Sequence, residues 1–302
     1  WLIKTDSSGN VQWNKTYGGT STDVAYSVIQ TSDGGYALVG YTNSYGAGLY
    51  DFWLVKTDST GTTQWNRAHG GARHDQAHSL VQTGDGGYIL VGSTQSFGAG
   101  KADFWLVKTD EAGYAQWNRT YGGANNDYAY SVAQSVDGGY ALAGYTNSFG
   151  AGMDDFWLVK TDSAGTMQWN KTYGGANPDR AFSLIKTVNG GYALAGSTNS
   201  TGAGKEDLWL VKTDSSGNVQ FNRTYGGINS DVAYSLVQTS DGGYALAGYT
   251  DPNGDGYYDF WLVKLAAPVY HDVAITGVTL SKTVIGRGYS VSINVTLENQ
   301  GT

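Results

Sequence analysis

The sequence predicts an all-β chain built as a β-propeller. Three observations carry this: a strict internal repeat, four short strand-like segments in each repeat, and glycine-rich turns between them. Trp1, Trp53, Trp105, Trp157, Trp209 and Trp261 share one phase of a 52-residue period, with no insertion or deletion between them. Such self-similarity marks stacked units, none of which can bury its apolar faces alone. With 45 Gly and only 3 Pro in 302 residues, the composition suits short strands and tight turns rather than a disordered low-complexity chain.

One full repeat shows the elements in order. Gln76 to Gln82 (QAHSLVQ), Tyr88 to Thr94 (YILVGST), Phe104 to Thr109 (FWLVKT) and Ala115 to Tyr121 (AQWNRTY) read as strands. The separators TGDGG, QSFGAGKAD, DEAG and GGANND combine Gly, which takes positive φ at no steric cost, with Asp, which bonds its own backbone. No segment carries an apolar stripe of 3.6-residue period, so no helix is predicted. Runs such as FWLV and YALV are continuous rather than alternating, so both faces of these strands lose water. Parallel strands would need crossovers of about a dozen residues or more, which most of these connections are too short to supply. Four-stranded antiparallel sheets stacked face to face, as in propeller blades, satisfy both constraints. A tandem β-sandwich is the rival, and it wants more strands per unit and an alternating polar face.

Within a blade, the strand containing YSVIQ from Tyr26 suits the crowded inner position. The strand containing Trp13, one large apolar residue among polar ones, suits the outer edge. The Trp1-type strand occurs six times and the other three types five times each. Five blades closed through the two chain ends is the first expectation: Trp1 to Gly19 would supply the outer strands of a blade whose inner strands lie in Asp231 to Thr250. Trp261 then competes with Trp1 for one sheet position, so a larger ring is the alternative. Residues 1–265 are assigned to the propeller. Residues 266–302 open on a short linker, AAP, after which VAITGVTL and YSVSINVTL are longer β candidates joined by KTVIGRG. They would be the N-terminal part of a β-sandwich domain. Two or three such strands cannot bury a two-sheet core, so the chain is expected to continue past Thr302, just as its start on Trp1 suggests a beginning inside a repeat.

The phrase DGGYALVGYT followed by DFWLVKTD and QWN resembles the repeated propeller-like units of secreted and cell-surface proteins of archaea and bacteria. Gly34, Gly35, Tyr36, Gly40, Trp53, Lys56, Asp58, Gly61, Trp65 and Asn66 carry the resemblance, at one phase along residues 1–265. Residues 269–302 resemble the start of an immunoglobulin-like (CARDB-like) adhesion module, on HDVAI and VTLENQG. These resemblances imply an extracellular or cell-surface protein. Its expected role is structural or adhesive, in a surface layer, sheath or filament, with self-association or other surface proteins as partners. A multivalent carbohydrate-binding, lectin-like propeller is the alternative. Tyr36, Tyr88, Tyr140, Tyr192 and Tyr244 would be its glycan platforms if they face solvent; because they begin apolar strands, packing between blades competes with that reading.

The absence of Cys removes thiol nucleophiles, thiolate metal sites and disulfides together. His69, His74 and His78 replace Tyr17, Thr22 and Tyr26 of the preceding repeat, and drift at aromatic positions accounts for them better than a transition-metal site. In DPNGDGYYDF, Asp251, Asn253, Asp255 and Asp259 fall at the 1, 3, 5 and 9 spacing of a calcium loop, but Leu262 stands where the bidentate Glu belongs. Calcium is therefore the one cofactor considered, with a plain Asp-stabilised turn as its rival. Carboxylates repeat identically at Asp23, Asp75, Asp127, Asp179 and Asp231 and again at Asp6, Asp58, Asp110, Asp162 and Asp214. Catalysis needs carboxylates in unlike environments, so no enzymatic activity is expected. Asn14, Asn118, Asn170 and Asn222 open Asn-x-Thr triplets at one phase, and Asn199 and Asn294 lie in sequons outside it; all six are glycosylation candidates in an exported protein. A net charge of −8, with 18 Lys and Arg spread by the repeat, argues against nucleic acid, and no apolar stretch approaches a membrane span.

Overall fold

A computed structural model describes residues 1–266 and two further strands, 273–280 and 293–299. Every described element is a β-strand or a turn. β1 (Leu2–Thr5) and β2 (Val11–Lys15) form a two-stranded sheet. Four complete antiparallel sheets follow, each with its strands side by side in chain order. They are β3 (Asp23–Gln30), β4 (Tyr36–Thr42), β5 (Asp51–Thr57) and β6 (Thr63–His69); β7 (Asp75–Gln82), β8 (Tyr88–Thr94), β9 (Asp103–Thr109) and β10 (Ala115–Tyr121); β11 (Asp127–Gln134), β12 (Tyr140–Thr146), β13 (Asp155–Thr161) and β14 (Met167–Tyr173); and β15 (Asp179–Lys186), β16 (Tyr192–Thr198), β17 (Asp207–Thr213) and β18 (Val219–Tyr225). A three-stranded sheet of β19 (Asp231–Gln238), β20 (Tyr244–Thr250) and β21 (Asp259–Leu265) comes next. The chain divides into two compact units, Trp1–Gln238 with Ala245–Val263, and Thr239–Tyr244 with Lys264–Thr302. In the second unit β22 (Val273–Leu280) pairs antiparallel with β23 (Ile293–Asn299). The expected turn KTVIGRG and the start of the expected strand at Tyr289 lie outside the described residues.

The sheets are not closed into a ring, which corrects the expected closure of five blades. Closure required β1 and β2 to join the inner strands of the last sheet. There β21 holds the third-strand position beside β20, while β1 and β2 remain a sheet of two.

Hairpin chemistry sets the register. Asp58 Oδ1 accepts the backbone N–H groups of Thr60 and Thr62 at 2.8 and 2.9 Å, and Gly61 at φ 77° closes the turn by donating to Asp58 O. The central strands β5, β9, β13 and β17 are buried along their whole length, as their continuous apolar runs require. Each sheet packs one face on the next: Ala37, Val39, Phe52 and Leu54 meet Ala77, Leu80, Tyr88, Leu90, Trp105 and Val107. Burying an aromatic side chain such as Phe52 contributes roughly 1.5–3 kcal/mol, and the Phe52–Trp105 edge contact at 4.5 Å is repeated by Phe104–Trp157 and Phe156–Trp209 at 4.6 Å. Polar staples join the same neighbours. Tyr17, Tyr121 and Tyr173 donate their hydroxyls to the carbonyls of Gly61, Gly165 and Gly217, one repeat ahead, at 2.5–2.7 Å.

Candidate functional site

The inner strands β3, β7, β11, β15 and β19 border one cavity of about 680 Å³. What they present to it follows from a β-bulge. Between Ala25 and Ser27, and at the equivalent points of β7, β11 and β15, the register shifts, so that two adjacent residues face one partner on the second strand. Tyr26 and Ser27 therefore both reach the cavity, where strict alternation would have sent one of them into the sheet interface. The bulged backbone sits against glycine on the second strand: a Cβ on Gly40 would lie 1.9 Å from Val24 O, and one on Gly92 1.9 Å from Gln76 O. Only glycine permits that approach.

Tyr26, His78, Tyr130, Phe182 and Tyr234 consequently form a single file of rings. Successive centroids are 4.8, 4.6, 5.2 and 4.9 Å apart. The file is held in place by the residue beside each ring. Ser79, Ser131 and Ser183 Oγ accept the N–H groups of Val132, Leu184 and Leu236 on the following inner strand at 3.4, 3.1 and 3.2 Å. At its ends Tyr26 and Tyr234 are 52% and 54% exposed, and the three rings between are half-buried. Gln76 and Tyr128 extend the lining.

The lining is uncharged. Burial between Tyr26 and Tyr130 pushes the His78 imidazole down to about 4, so it is neutral at pH 7. Burial, and after it the neighbouring Tyr145 hydroxyl, pushes the Tyr130 phenol up. Arg180 stands near but outside the lining, paired with Asp154 at 2.6 Å and lying over the Tyr145 ring at 5.3 Å. The file also has an order. Tyr26, Tyr130 and Tyr234 pack on the rings of Tyr41, Tyr145 and Tyr249 on their second strands, with centroids 5.8, 5.8 and 5.9 Å apart, whereas beside His78 and Phe182 the equivalent second-strand positions hold Ser93 and Ser197.

The other sequence-predicted residues lie elsewhere. Tyr88, Tyr140, Tyr192 and Tyr244 are buried and Tyr36 is half-buried. Tyr36, Tyr88, Tyr140 and Tyr192 pack on Trp13, Trp65, Trp117 and Trp169 of the preceding sheet at 5.7–6.3 Å, so these rings join sheets and offer no open platform. Asn14, Asn118, Asn170 and Asn222 are exposed on outer strands; the last three also accept from indole N–H groups of Trp105, Trp157 and Trp209. Asn199 is half-buried, and the side chain of Asn294 lies outside the described residues. In the loop considered for calcium, Asp251 is buried and accepts Gly254 N–H, while Asp255 accepts Tyr257 N–H and Asp259 is exposed. Among the described residues no group of three or more His, Asp or Glu side chains is placed to hold a metal ion. The three histidines are dispersed. His69 is half-buried on β6, His74 packs on Tyr50, and His78 belongs to the ring file. The repeated Asp75 accepts Thr94 Oγ1, Ser96 Oγ and Gly71 N–H, a loop-closing role.

Sequence reasoning missed the ring file itself. Its signal was present in the linked alternation of Tyr26/Tyr41, His78/Ser93, Tyr130/Tyr145, Phe182/Ser197 and Tyr234/Tyr249.

No family model matches the chain. Residues amounting to 46% of the chain are 28% identical to the regulatory protein FlaEY of Caulobacter vibrioides, and they span 17% of that protein's length. Among solved structures, similarity extends to Sqt1 from Chaetomium thermophilum, at 15% identity, TM-score 0.42, and 75% and 66% of the two chains. It also extends to an exo-beta-1,3-galactanase from Bifidobacterium bifidum, at 13%, 0.40, and 88% and 92%. An endo-1,4-beta-xylanase from Bacteroides thetaiotaomicron is similar at 13%, 0.39, and 91% and 95%. Two of these carry enzyme names, which corrects the expectation of a chain without enzymatic activity. Resemblance at this level assigns no activity either.

Proposed function

We propose that the chain is an extracellular adhesive repeat protein of a cell-surface layer, sheath or filament, whose stacked sheets form a propeller-like body around a binding groove. One observation supports this reading above the rest: a single cavity receives side chains from all five inner strands, the arrangement a propeller axis would give. Surface placement draws support from the exposed Asn14, Asn118, Asn170 and Asn222, and β22 with β23 would open an adhesion module. Retention of the chain on isolated cell envelopes tests the adhesive reading. Tyr26→Ala with Tyr234→Ala removes two largely exposed rings and should abolish retention while leaving thermal unfolding nearly unchanged. Undiminished retention would refute a role for the groove.

A further inference from the structure

We infer that the groove takes a neutral polysaccharide, read along the ring file. This rests on the groove being the binding site and adds the class of its ligand. Charge decides first. The lining consists of aromatic, Ser and Gln side chains with a neutral His78, and Arg180, the cation that acts on Tyr130, is paired with Asp154. A polyanion would find no counter-charge there, and a cationic peptide no carboxylate. Surface chemistry decides next. Ring edges and faces accept the C–H face of a pyranose, while Gln76, Ser27 and the phenolic hydroxyls supply donors and acceptors for its hydroxyl groups.

Geometry sets the mode. The five rings follow one another at 4.6–5.2 Å, close to the length of one sugar residue, and at both ends a ring stands more than half open to solvent. A chain of several sugars can therefore cross the file, with its outer residues stacked on Tyr26 and Tyr234. A proline-rich peptide also favours aromatic grooves, but it presents carbonyl acceptors alone, whereas Gln76 and Ser27 offer acceptors as well as donors, which the hydroxyls of a sugar can use together.

Titration calorimetry of the whole chain with neutral hexasaccharides of glucose, xylose, galactose and mannose, with hexaproline and with a heparin hexasaccharide tests the inference. At least one neutral sugar should bind, and Tyr26→Ala and Tyr234→Ala should each weaken it by about tenfold or more. No binding by any neutral sugar, binding indifferent to both substitutions, or binding of heparin or hexaproline alone would overturn it. The two readings fail separately. Envelope retention that needs both rings, with no neutral sugar bound, sinks the ligand class and keeps the adhesive role. Sugar binding in the groove with ring-independent retention does the reverse.

Discussion

Asp51→Asn should stabilise the protein, although it removes a carboxylate repeated in every unit. Asp51 is 1% exposed. Its Oδ2 accepts Ala47 N–H at 2.9 Å and Gly48 N–H at 3.3 Å, and its Oδ1 is buried with no hydrogen-bond partner. Across Gly70 stands a second carboxylate: a Cβ on Gly70 would meet Asp51 Oδ1 at 1.8 Å and Asp75 Oδ2 at 2.8 Å. Burial first, and the charge of Asp75 as well, push the Asp51 carboxyl up, against the two backbone bonds that pull it down. Asparagine keeps the oxygen that Ala47 and Gly48 need and turns an uncharged donor toward Asp75. A buried acceptor without a partner costs about 1–3 kcal/mol. Recovering part of that should give about 1 kcal/mol, or about 2–4 °C in Tm. Because the folded pKa lies above the unfolded value, the penalty acts where Asp51 is ionised and fades as pH falls toward the ordinary carboxylate value of about 4. Denaturant unfolding at pH 7 and at about pH 4 should therefore show a gain at the higher pH that shrinks at the lower. Asp103, with the same buried Oδ1, should behave alike, and the double variant should gain about twice as much. A loss of stability at pH 7 would refute the account and mean that Oδ1 has a partner worth more than its desolvation.

Other expectations separate by phase of the repeat. Asp33→Asn should destabilise at pH 7, because Lys56, whose side chain is 6% exposed, holds Asp33 well below the usual carboxylate range; that contribution is lost as pH falls through the depressed pKa, which pH-dependent urea unfolding would show. In the fourth complete sheet Asn189 stands where the others have Asp, and the buried Lys212 bonds only Thr213 O and Gln220 Oε1 among the contacts described, its pKa lowered by burial. Asn189→Asp should add about 0.5–1 kcal/mol by urea unfolding. Tyr121→Phe removes the donor to Gly165 O in a buried junction and should cost about 1 kcal/mol in the same assay. Mass spectrometry of protein from its natural source should find glycan at Asn118, Asn170 or Asn222 in preference to the half-buried Asn199.

Strands were legible where one physical demand acted alone. β5 could be read from DFWLVKT because a run with no polar alternation must lose water on both faces, and all seven residues are buried. The outer strands were legible from single indoles among polar residues. Closure was not, because near-identical repeats specify how one sheet meets the next but not whether the ends meet; the competition between Trp1 and Trp261 was the one visible warning. The ring file was hidden by the bulge at Ala25 to Ser27, which breaks the two-residue period by which a strand is read. The Tyr36 phase was ambiguous for a different reason. A tyrosine opening an apolar strand suits either a platform or a joint, and only the position of Trp13 on the preceding sheet decides.

The same stacking constrains which residues can vary. A face residue such as Phe52 or Leu54 must fit both its own sheet and the next, so a change there needs a matching change one repeat ahead. Across the complete sheets these positions stay Phe or Leu and Leu. The ring positions are constrained only by their neighbours in the file and by the second strand, where Tyr is matched by Tyr and His or Phe by Ser. Substitution there leaves the sheet interfaces untouched, because the bulge has already taken the residue out of them. A lining can thus change ring by ring while the stack persists.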